Sequence, residues 1–70
     1  MQVSTTEFEF SHGRKPRGRG HWAFYFGFRG IVGGTVEPAF APGEMTFTQA
    51  KRWAISEAKK SGWTRVVVGP

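Results

Sequence analysis

From Val3 to Phe10 polar and apolar positions alternate, with Phe8 and Phe10 on one side and Glu7 and Glu9 on the other. That is the period of a half-buried strand. The alternation returns more strongly from His21 to Arg29, where Trp22, Phe24, Phe26 and Phe28 project one way and His21, Ala23, Tyr25, Gly27 and Arg29 the other. Between the two lies Ser11 to Gly20, with Gly13, Pro16, Gly18 and Gly20. Such a stretch turns a chain but cannot continue a ladder, so the two strands are expected to pair as an antiparallel hairpin with a long basic tip. A register with Phe10 opposite Trp22 puts Phe8 opposite Phe24 on the core side and Glu7 opposite Tyr25 outside. Ile31 to Phe40 reads as a third, weaker strand, with Gly33 and Gly34 as a bulge or turn and Pro38 confining it to an edge. Pro42 and Gly43 end it.

Downstream the period changes. Thr46-Phe47-Thr48-Gln49 fits a capping box, in which the Thr hydroxyl accepts from the backbone three residues on and the Gln reaches back. Phe47, Ala50, Ala54, Ala58 and Ser61 then form one stripe at helical spacing, flanked by Trp53 and Ile55. Its small members let a helix come close to a sheet. Gly62 can take the left-handed cap conformation, with Trp63 supplying the apolar contact that follows such a cap. Thr64 to Val68 reads as a last strand, its Val66-Val67-Val68 run too apolar for an exposed edge. The order is β-β-β-α-β, and the last strand is expected beside the first, in parallel, after a right-handed crossover. The expected fold class is α+β: a small, mainly antiparallel sheet with one helix on its aromatic face, residues 1–70 forming a single domain.

Composition narrows the chemistry. Seventy residues carry ten Lys plus Arg against five Asp plus Glu, a net charge of +5, and no Cys. Zinc-finger, iron–sulfur and thiol chemistry are excluded, and with only His12 and His21 as further soft ligands no metal or cofactor is expected. A domain of this size buries roughly 60% of its unfolded surface, so the stabilising load falls on its aromatics, and a homodimer that completes the core is an alternative to a monomer. No apolar run approaches the roughly 18 to 20 residues of a membrane span, and Met1 to Phe10 lacks the pattern of a signal peptide. The expectation is a soluble, cytoplasmic protein without a membrane partner.

The charge is concentrated: Arg14, Lys15, Arg17 and Arg19 put four of the ten cations within six residues. Pro16-Arg17-Gly18-Arg19, with Arg14-Lys15 as its basic flank, resembles the AT-hook. The resemblance implies that Arg17 and Arg19 enter an A·T-rich minor groove while Gly18 lets the backbone lie deep; narrow A·T tracts draw Arg inward. The bland account of the run is a solvated loop that keeps a small protein soluble. On the outer face of the second strand, His21, Tyr25 and Arg29 form a row with which single-strand binders stack bases and hold phosphates. Glu7 and Glu9 are expected to share that face, which an ordinary solvated sheet also explains. On the helix, Arg52 and Lys59 face solvent together as candidate phosphate contacts, although cations in a last turn also suit the helix dipole.

Catalysis finds little footing, because no Ser-His-acid, paired-carboxylate or metal-ligand spacing links Glu44, Glu57, His12 and His21, and an enzyme is not expected. The Trp22 to Phe28 run followed by Thr46 to Ala54 is similar to the sheet-then-helix layout of integrase arm-binding domains. The compact, basic, Cys-free chain also resembles short accessory proteins of bacteriophages and plasmids. The reading that results is a non-enzymatic nucleic-acid-binding protein, DNA ahead of RNA. Its contacts are Arg14, Lys15, Arg17 and Arg19, with Tyr25, Arg29, Arg52 and Lys59 as secondary contacts. The rival is an accessory or inhibitor protein that meets an acidic host-protein surface with the same cations and exposed aromatics. Exposure of Tyr25, Trp53 and Trp63 as a patch would favour the rival; burial of these rings with cations converging on one face would favour nucleic acid.

Overall fold

The computed structural model describes residues 1–28 and 37–69. The chain runs β1 (Gln2–Ser4), α1 (Thr6–His12), β2 (Arg19–Gly20), β3 (Ala23–Gly27), β4 (Ala39–Phe40), β5 (Met45–Thr46), α2 (Phe47–Lys60) and β6 (Arg65–Val68). Its class is α+β: a mixed four-stranded sheet in the order β1-β6-β3-β4, a two-stranded sheet of β2 and β5, and two helices. β3 pairs antiparallel with β4 and β6, and β1 pairs parallel with β6.

The long helix begins and ends where local chemistry dictates. The Thr46 hydroxyl accepts from the Gln49 amide at 3.2 Å, and the Gln49 side-chain oxygen accepts from the Thr46 amide at 3.0 Å. At the other end Gly62 adopts φ +80°, its amide donates to the Lys59 carbonyl at 3.2 Å, and the Trp63 amide donates to that of Ala58 at 2.8 Å. This is the two-bond cap that satisfies the last carbonyls of a helix. Thr46→Ala is expected to cost about 1 kcal/mol and to lower the midpoint of a circular-dichroism melt by about 4–8 °C.

Ala50, Ala54 and Ala58 are fully buried, as the small-residue stripe predicted, and share one cluster with Phe24, Phe26, Val66 and Val68. Register explains why these sheet residues face the core together: Phe24 lies opposite Val68, Phe26 opposite Val66, and Val3 opposite Val66. The valine-rich strand, expected beside the first strand in parallel, is so placed, and β3 flanks its other side. An apolar run suits that interior position because both of its backbone edges are paired. β4 lies at the sheet edge, as expected, but it begins only at Ala39, with Glu37 and Pro38 outside the ladder. The rest of the expected third strand, from Ile31 to Val36, lies outside the described residues, as does Arg29. β3 itself stops at Gly27, leaving Phe28 44% exposed against Trp63 at a ring separation of 5.0 Å.

The principal correction concerns Val3 to Phe10. Only Gln2–Ser4 is strand; Thr6–His12 is helical, so no hairpin joins it to β3 and the proposed Phe10–Trp22 register does not occur. Local contacts at helical spacing replace the alternation. The Thr5 hydroxyl donates to Glu9 Oε2 at 2.5 Å, Phe8 stacks on His12 at 4.1 Å, and Glu7 and Glu9 lie in the first turn, where acids suit the dipole. Gly13, at φ +69°, caps the helix by donating to the Glu9 carbonyl. Burial separates the two periods: Phe8 is buried while Phe10 is 92% exposed. Among the described residues no helix is long and apolar enough to cross a membrane.

Candidate functional site

The basic run connects α1 to β2 and is folded onto the body of the protein, which corrects its expected place at the tip of a hairpin. Pro16 is buried. Gly18 turns at φ +83°, and its carbonyl accepts the Phe47 amide at 2.9 Å. That amide is one of those at a helix start that have no partner within the helix. β2 then pairs with β5, Arg19 opposite Thr46 and Gly20 opposite Met45, and the Trp22 indole nitrogen donates to the Met45 carbonyl at 3.0 Å.

These bonds draw the loop around a cleft of about 320 Å³. Arg14, Arg17 and Arg19 line it together with His12 and His21, and Phe8 and Trp22 supply its apolar lining. Gly20, Ala23 and Gly69 complete the wall. Behind the cations the aromatic rings form a continuous ladder. Exposed His12 stacks on Phe8 with an interplanar angle of 21°, Phe8 meets Trp22 at 5.6 Å, and Trp22 meets Phe47 at 5.0 Å. The imidazole is therefore held by a ring that belongs to the core.

Arg19 is oriented by Glu44: its Nε donates to Glu44 Oε1 at 3.0 Å and Nη2 to the Glu44 carbonyl at 3.4 Å. With both side chains more than half exposed (60% and 55%), the pair contributes at most about 1 kcal/mol to stability. Its effect is to position one guanidinium while offsetting its charge. Arg14 and Arg17 are exposed and form no ion pair with any described residue. Glu44→Gln should therefore strengthen binding of an anion in the cleft, read by titration with a labelled oligonucleotide, while leaving the melting midpoint within a few degrees of the parent.

The remaining candidates lie apart from this cleft. Lys15 is exposed but does not line it, and Arg52 and Lys59 are exposed on α2, where neighbouring Lys60 pairs with Glu57 at 3.6 Å. Tyr25 is half-buried on β3 opposite Val67, on the sheet face opposite Phe24 and Phe26. Glu7 and Glu9 are on α1 and not on that face. The sequence places His21 in a row with Tyr25 and Arg29 and gives His12 no binding role; the structure puts both histidines at the lining of the cleft instead. The signal for His12 was its spacing of four from Phe8, which stacks the two rings on a helix. Trp53 and Trp63 are half-buried, against Phe24 and Phe28 respectively. Among the described residues no group of three or more His, Asp or Glu is placed to hold a metal ion. Comparison with protein families, curated proteins and solved structures returned no match.

Proposed function

We propose that this protein binds nucleic acid, and specifically single-stranded nucleic acid, through the cleft. Arg14, Arg17 and Arg19 meet phosphates, and the exposed His12 ring offers a surface on which a base stacks. One observation carries the reading: the stretch from His12 to His21 folds so that Arg14, Arg17, Arg19 and both histidines line one concavity beside the Phe8 and Trp22 rings. Arg recognises phosphate oxygens through paired N–H donors. Aromatic rings next to a basic groove are the means by which single strands are held without strong sequence preference. A double helix carries its phosphates on a convex surface and does not enter a hollow of this size. The Arg-Gly-Arg core is also tied to α2 and β5 through Gly18 and Arg19, which favours a strand coming to the loop over the loop entering a minor groove.

The test is fluorescence anisotropy with single-stranded DNA, single-stranded RNA, mixed-sequence duplex and A·T-rich duplex at several salt concentrations. Single strands should bind most tightly, with a log–log salt slope of about −2 if three phosphates are neutralised at roughly 0.7 each. Affinity indifferent to salt, or confined to A·T-rich duplex, rejects the reading.

A second reading, a partner protein with an acidic surface, draws on Phe10 and Phe40, which are 92% and 71% exposed. Under it the oligonucleotide titrations stay flat, and Phe10→Ala weakens the complex with the acidic partner protein.

A further inference from the structure

The charges around the cleft do not suit every phosphate equally. Arg19 is already engaged by Glu44, whereas Arg14 and Arg17 form no ion pair with any described residue. Two arginines without an ion pair among the described residues thus line one cleft of about 320 Å³. A bridging phosphodiester brings one negative charge and two free oxygens. A terminal phosphomonoester brings about −1.5 to −2 and three strong acceptor oxygens, which two guanidinium forks can saturate. Part of the wall is main chain, closed where the Gly69 amide donates to the Ala23 carbonyl at 2.8 Å. The volume lies at the low end of the roughly 300–1,000 Å³ typical of small-ligand sites, the scale of a single nucleotide.

We propose that the cleft is a receptor for a nucleotide's terminal phosphomonoester, carried on the end of a strand or on a free mononucleotide. This rests on the nucleic-acid reading above and specifies its ligand. Arg14 and Arg17 clamp the phosphate, Arg19, positioned by Glu44, adds a third cation, and the base of the same nucleotide stacks on His12. Internal linkages bind more weakly because they leave one guanidinium charge unmatched.

The full chain is titrated with four probes: one oligonucleotide sequence bearing a 5′-phosphate, a 3′-phosphate or hydroxyls at both ends, and a nucleoside monophosphate. A phosphorylated end should tighten binding about tenfold, the effect of one further charge-assisted contact. The monophosphate should displace the strand where the unphosphorylated nucleoside does not. Arg14→Ala with Arg17→Ala should abolish the preference. Arg14→Lys with Arg17→Lys, which keeps charge but not the paired donors, should reduce it. Equal, salt-sensitive affinity for phosphorylated and hydroxyl-ended strands overturns the phosphomonoester receptor and leaves the nucleic-acid reading standing. Binding of the monophosphate with no binding of any oligonucleotide supports the receptor, assigns it to free nucleotides and removes the strand-binding reading. No binding of any probe overturns both.

Discussion

Phe24→Ala should leave a chain without a cooperative thermal transition. The ring has no exposed surface, its backbone is paired on one side with Ala39 and on the other with Val68, and it lies 6.3 Å from Trp53. Truncating a Phe in such a position costs about 3–5 kcal/mol, the lost transfer energy plus the cavity left behind. A single core in a domain of this size rarely supplies more than about that amount. Circular dichroism and urea titration read the result directly. A sharp melt near the parent midpoint would mean that Phe24 is not the centre of the packing described. Phe10→Ala is the matched control: at 92% exposure its effect should stay within about 0.5 kcal/mol. The pair of Phe8→Ala and Phe10→Ala also separates helix from strand in this segment. A strand with both rings inward is destabilised by either substitution, whereas α1 is destabilised only by the first.

The largest functional effect is expected from Arg14→Ala combined with Arg17→Ala. Both side chains are exposed, so the fold should be unchanged, and removal of two phosphate contacts should flatten the log–log salt slope on single strands by about 1.4. Affinity at moderate salt should fall by about tenfold or more, since a hydrogen bond to a charged group contributes about 1.5–3 kcal/mol. Arg52→Ala with Lys59→Ala removes the same charge from α2, away from the cleft, and should change the slope little. Equal slopes for the two double variants would show that net charge, and not the cleft, governs binding.

The parts of this fold that were legible beforehand are those decided within one or two turns of chain. Thr46 and Gln49 cap each other across three residues, Gly62 and Trp63 close the same helix, and the alanine stripe needs only the helical period to be placed. The valine run was expected beside the first strand in parallel and is found there, but its insertion between β1 and β3 follows from the loss of the expected β1–β3 hairpin, which no local pattern signals. Glu7-Phe8-Glu9-Phe10 misled because four alternating residues satisfy a strand period while Thr5 with Glu9, and Phe8 with His12, satisfy a helical one. The spacing-of-four contacts prevailed.

The cleft was beyond local reading for a different reason. Arg14, Arg17 and Arg19 were visible as a cluster, but the placing of their loop against the body depends on Gly18 bonding to Phe47, β2 pairing with β5, and Trp22 reaching Met45. Each is a contact between segments far apart in sequence that no periodicity encodes. Thus the arginines of the candidate site were apparent early, and their company of Phe8, His12 and Trp22 only with the tertiary structure.

The place of β6 between β1 and β3 has a consequence for biosynthesis. During translation β1 emerges before β6, its parallel neighbour in the sheet, and cannot form that pairing until Arg65–Val68 clear the ribosomal exit tunnel. A stalled nascent chain ending before that point would expose the Phe24 and Phe26 face to chaperones. Folding of the sheet therefore waits on synthesis of β6, and deleting Arg65–Val68 would be expected to send the chain to proteolysis and not to yield a smaller stable module.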